Sequence, residues 1–173
     1  KEIKNALGSI KKLLMRYFIG ITIDITIVIT LVTVGLSIVG LKLEHALIIA
    51  LFAGLVNVIP YIGPIIGYIF GITMGILTHL EMDFYTEMLP MLGFMLLAMI
   101  IVQVIDATLL QPTIYSSSVR AHPLEIFLLI LVSGSLAGIT GMILAIPTYT
   151  VVRVVAKEFF NQLKLVKKLT KNI

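Results

Sequence analysis

Apolar residues fill four long blocks of this chain, and polar residues gather between the blocks and at both ends. Residues 1–16 place Ile3, Leu7, Ile10 and Leu14 at helical spacing, with Lys4, Lys11 and Lys12 off that stripe. The pattern predicts an amphipathic helix on a membrane surface, with a soluble linker helix as the plainer alternative. Residues 17–40 carry a single charge, Asp24. At about 1.5 Å per residue, a helix of that length crosses a hydrocarbon core of about 30 Å, so a full span is expected.

Residues 46–78 are apolar throughout but are interrupted by Gly54–Gly67, with Pro60 and Pro64 near the middle. Proline removes a backbone donor and clashes with the preceding turn. Arms at Ala46–Val58 and Ile65–Thr78 are short for a crossing, which predicts a broken hairpin entering and leaving on one side. A single kinked span or two short tilted spans are the alternatives. Residues 79–88 are a polar break with Glu81, Asp83 and Glu87. A second full span is expected at 89–110, then a polar connector, Gln111–Pro123, with Pro112, Ser116–Ser118, Arg120 and His122. Apolar arms at Leu124–Ser133 and Ile139–Val155 around Ser133–Gly138 predict a second hairpin over 124–155. In the tail, 157–173, lysines interleave with Phe159, Phe160, Leu163, Val166 and Leu169, which suits an interfacial helix.

The expected fold is therefore an all-α integral membrane domain over 17–156: two full transmembrane helices plus two broken, re-entrant hairpins, with interfacial amphipathic segments on either side. The span-plus-hairpin unit occurs twice with opposite orientation, an inverted repeat of hydropathy rather than of residues. Such paired interruptions point to a transport site at the repeat interface.

Composition supports lipid as the solvent. The 173 residues are 59% hydrophobic and 13% charged, with mean hydropathy +1.11; soluble domains are about 45–50% apolar and about 25% charged. The net charge of +4 sits at the ends: among thirteen Lys and Arg residues, only Lys42 and Arg120 fall between residues 17 and 152. That distribution predicts anionic lipid rather than nucleic acid as a partner. It places both termini in the cytoplasm of a bacterial inner membrane, with the 79–88 loop outside and Arg120 inside. The chain holds no cysteine, so disulfides and thiolate metal sites are excluded, and no cofactor is expected. Lys1 in place of an initiating Met, with no signal peptide, suggests a piece of a longer protein.

Candidate chemistry lies in the apolar blocks. A carboxylate in lipid costs at least about 2.5–3.5 kcal/mol, so Asp24 and Asp106 are functional candidates. Snorkelling or a structural hydrogen bond is the bland reading. Desolvation and a bound cation move a carboxylate's proton affinity in opposite directions, which allows proton-for-cation exchange. Gln103, one turn before Asp106, can orient it. The break Asn57–Pro64, with Pro60, Gly63 and Pro64, frees backbone groups tolerated only where they are buried or line a cavity; a structural kink is the alternative. Gly134, Gly138 and Gly141 suggest close helix packing. His122 reads as a cap, His45 and His79 carry little, and Glu125 is expected at the interface. No nucleophile elbow, metal cluster or P-loop is present, and the Gly-x-Gly-Asp context of intramembrane aspartic proteases is missing; an enzyme is not expected.

Several of these residues also carry a resemblance. Asn57-Val58-Ile59-Pro60-Tyr61-Ile62-Gly63-Pro64 looks like the signature of the autoinducer-2 exporter (AI-2E-type) family. Gln103-x-x-Asp106 with Leu110-Gln111-Pro112, then His122-Pro123, then Gly141–Pro147, resemble three further family segments in the same order. The chain departs from the pattern at Gly20-Ile21, where many members have Gly-Gln, and it lacks the family's additional N-terminal spans. The resemblance implies the C-terminal half of a multi-span transporter that forms a homo-oligomer. Its solute would be a small quorum signal or, as reported for some relatives, sodium or lithium exchanged for protons. A sugar-like signal needs Asn57, Gln103 and Gln111; a cation needs carboxylates and carbonyls; both sets are present. A non-transporting scaffold subunit is the alternative from another class.

Overall fold

A computed structural model describes residues 2–115 and 122–169, and all of its regular structure is helical. Six α-helices are present among the described residues: α1 Glu2–Val39, α2 Leu43–Val56, α3 Ile62–Thr78, α4 Leu89–Ile105, α5 Gln111–Tyr115 and α6 Pro123–Leu169. Single π-helical turns at Phe84–Met88 and Asp106–Leu110 flank α4. Ser116–Ser118 and Arg120 of the expected connector lie outside the described residues, as do the side chains of the tail from 157. The chain divides into two units, residues 20–116 and residues 1–19 with 117–173.

By length and composition, three stretches reach a membrane-crossing size: Ile10–Val39, Phe84–Thr113 and Leu124–Ala156. The first runs unbroken through Arg16–Tyr17, where the sequence predicted an interfacial helix giving way to a span. It stops at Gly40, whose φ of 108° suits glycine. There Leu41 N donates to Leu36 O at 3.1 Å, closing a Schellman-type end. The second begins five residues before the expected Leu89 and continues past Leu110 as α5, so Gln111–Tyr115 is helix rather than connector. Its start is set by Asp83, whose Oδ1 accepts from Tyr85 N at 3.1 Å and Thr86 N at 3.0 Å. These two bonds satisfy orphan N–H groups of the first turn.

The third stretch is folded on itself. Ala137 (φ −137°) and Gly138 (φ 61°) leave helical geometry. Tyr149 then donates to Glu125 Oε2 at 3.0 Å. In a straight helix those residues would stand about 36 Å apart. A Cβ on Gly141 would meet the Ser133 carbonyl, and one on Gly134 would meet Met142, so the two arms run antiparallel from a tight bend. The first arm is about 21 Å long, short of a hydrocarbon core.

The larger unit is built on α2 and α3. They pack antiparallel, with Phe52 and Phe70 stacked at 4.0 Å. Gly63, Gly67, Gly71 and Gly75 put one buried glycine on each turn of α3. A Cβ on Gly67 would meet Ala53; on Gly71, Met99 and Ile49; on Gly75, Leu92 and Met95. This bare face lets α3 seat against both α2 and α4, as small residues do in lipid-embedded helices. The core is completed by Val28, Val32 and Leu36 of α1, every fourth residue of one stripe.

Candidate functional site

Asp106 has no exposed surface, although it sits in an apolar helix. Its Oδ2 accepts three amide N–H groups: Gln111 Nε2 at 2.9 Å, Asn57 Nδ2 at 3.0 Å and Gln103 Nε2 at 3.4 Å. The other oxygen, Oδ1, is buried without a hydrogen-bond partner. Apart from Lys42, residues 20–113 contain no Lys or Arg. Lys42 caps the far end of α2 from Asn57, about 22 Å away along the helix. Among the described residues, amide N–H groups rather than an ion pair hold this carboxyl group.

Each donor reaches Asp106 by a different route. Gln103 is one α-helical turn earlier on α4, as its spacing predicted. Gln111 is five residues later and arrives through the π turn, whose i to i+5 closure bonds Gln111 N to Asp106 O. Asn57 comes from the hairpin, as the C-cap of α2, and is 8% exposed.

The hairpin tip is tight. Ile62 N donates to Pro60 O at 2.8 Å, a γ-turn centred on Tyr61 with φ 68° and ψ −46°. This is the rarer and strained hand of that turn. Gly63 N donates to Ile59 O at 2.8 Å. A Cβ on Gly63 would run into the Val56 carbonyl, so only glycine fits there. The tip thus spends most of the N–H groups that the break frees. Val58, Ile59, Ile62 and Gly63 are bonded internally, and Pro64, inside the first turn of α3, has none. The break is Asn57–Tyr61, shorter than the expected Asn57–Pro64.

Beside Asn57 and Gln103, two of the donors to Asp106, lies a cavity of about 20 Å³. Its polar lining is Asn57, Tyr68 and Gln103, with Pro64, Val28 and Met99 among the apolar walls. That is room for about one water molecule, far less than a sugar needs. Asp24 is 4% exposed and continues the buried stripe of α1 one turn before Val28.

The arrangement joins Asp106, Gln103, Gln111 and Asn57 directly and sets Pro64 on the cavity wall. Pro60 and Gly63 shape the tip without touching the carboxylate in any described hydrogen bond. The sequence reading missed Tyr68 and the lower half of the glycine stripe; four glycines at four-residue spacing were the available signal.

Similarity to other proteins shows the family. The model of the AI-2E family transporter matches residues 1–161. The chain belongs to the AI-2E transporter family. It is 36% identical over 154 residues to "Putative transport protein YueF" of Bacillus subtilis, covering 89% of this chain and 38% of that protein. It is 33% identical over 130 residues to "Putative transport protein YrrI" of the same bacterium, covering 75% and 34%. The AI-2E chain therefore spans about a third of the length of the curated relatives it matches. No solved structure matches it. All four segments that carried the resemblance lie inside the matched range, and all four residues of the Asp106 cluster belong to them.

Proposed function

We propose that this chain forms the solute-handling part of an AI-2E family transporter, with a path that passes Asp106 and the tip of the α2–α3 hairpin. The carrying observation is the buried carboxyl group on three amide donors, with its other oxygen buried and without a hydrogen-bond partner. An ionisable group in an apolar helix is expensive and is retained where it works, and among the described residues Asp106 has no ion-pair partner. Support comes also from the relatives named as transport proteins. The solute is a small polar molecule of the autoinducer-2 class, recognised by Asn57, Gln103 and Gln111 once the site opens. The cavity's size favours a second reading, sodium or lithium exchanged for protons at Asp106.

In this reading both hairpins are re-entrant, the two span-plus-hairpin units are inverted with respect to each other, and the protein is a homo-oligomer in a bacterial inner membrane. Transport is alternating access, one hairpin unit shifting against a fixed part. Flux into proteoliposomes holding the full-length protein is the test. Sodium-driven proton movement lost in Asp106→Asn supports exchange; uptake of the signal without ion dependence supports export. Neither flux, with intact assemblies, returns the chain to a scaffold role.

A further inference from the structure

The bond between Gln111 and Asp106 depends on helix register. In an α-helix, residues i and i+5 stand about 140° apart around the axis. Gln111 would then face away from the carboxylate. The π turn Asp106–Leu110 removes that offset and lays the Gln111 amide 2.9 Å from Oδ2. The turn contains one residue more than an α-helix needs. Its middle residues, Ala107, Thr108 and Leu109, are all exposed, while Asp106 is fully buried. No core packing of those three residues holds the extra residue in place. On the other side of the carboxylate, Asn57 ties the hairpin tip to Asp106 at 3.0 Å, and the tip is strained at Tyr61.

We propose that the Asp106–Leu110 turn is a register switch and that Gln111 is the positioning residue it moves. In the π register Gln111 holds the carboxylate on Asn57 and latches the tip. In the α register Gln111 swings off, the carboxylate loses its shortest donor, and the tip is released to relax. This deepens the transport reading and rests on it for the link to solute movement; the register change itself is read without flux.

Two variants of the full-length protein separate these states. Deleting Thr108 takes out the extra residue and places the glutamine at i+4, over Asp106 in a plain α-helix. The latch is then permanent. Gln111→Ala removes the donor in either register. Spin labels at Ile65→Cys on α3 and Val104→Cys on α4, both exposed sites, report the tip distance by double electron–electron resonance in nanodiscs. The expected result is two distance populations in the parent, the latched one alone after the deletion, and a shift toward the other in Gln111→Ala. One distribution common to parent and Gln111→Ala overturns the switch, whether or not the deletion variant folds. Flux on the same samples keeps the two ideas apart. A deletion variant that is latched yet transports normally removes Asp106 from the path and leaves the switch standing.

Discussion

At the residue scale, Asp106 is expensive unless each of its partners is present. Asn57→Ala leaves a buried carboxylate short of one donor and exposes Asn57's place at the tip. The expected cost is about 1–3 kcal/mol, read as a lower unfolding midpoint in detergent. Because Asn57 and Gln111 share one oxygen, the double variant with Gln111→Ala should depart from additivity, whereas pairing Asn57→Ala with a change at exposed Tyr85 should not. Asp83 offers a test in water. Bonds from Thr86 and Tyr85 hold its carboxyl below the ordinary carboxylate value. A lowered folded value stabilises above the ordinary range and is lost as pH falls through it. Protection factors at the Tyr85 and Thr86 amides, taken against the intrinsic rate at each pH, should therefore hold at neutral pH, fall only in acid, and be low throughout in Asp83→Ala.

Elements explain what could be foreseen. The two bends were readable because proline and glycine interrupt apolar runs at Pro60 and at Ser133–Gly138, and chain that cannot continue a helix must bend; the bounds of the long helices were not. Gln103 was readable because i and i+3 share a helical face. The π turn was not. Nothing in Asp106-Ala107-Thr108-Leu109-Leu110 marks one residue too many, and only tertiary contact at Asp106 selects that register. The tip hydrogen bonds were equally hidden, since a strained residue at Tyr61 runs against what its type prefers. The glycines of α3 can be ranked. At Gly63 an added methyl meets backbone of Val56 and Asn57, which cannot step aside. At Gly71 it meets the Met99 thioether, 2.9 Å away, at the flexible end of a side chain. Gly63→Ala should cost about 1–3 kcal/mol or more, and Gly71→Ala distinctly less, by the same detergent unfolding assay.

For the whole molecule, the charge pattern predicts sides that the fold by itself does not. The chain lacks cysteine, so single cysteines at His79 and Arg120 can be labelled from outside cells. His79 should react and Arg120 should not; the opposite pattern reverses the orientation.

The bend at Ala137–Gly138 has an arithmetical consequence. A segment that turns back leaves the parity of crossings unchanged. If both hairpins re-enter the side they left, as proposed, only Ile10–Val39 and Phe84–Thr113 count, and an even number returns the chain to the compartment it left. Were Leu124–Ala156 straight, the number would be odd. Alkaline phosphatase and green fluorescent protein fused after Ala156 give opposite answers for the two cases: a bent segment keeps the phosphatase silent and the fluorophore bright whenever residues before Ile10 are cytoplasmic.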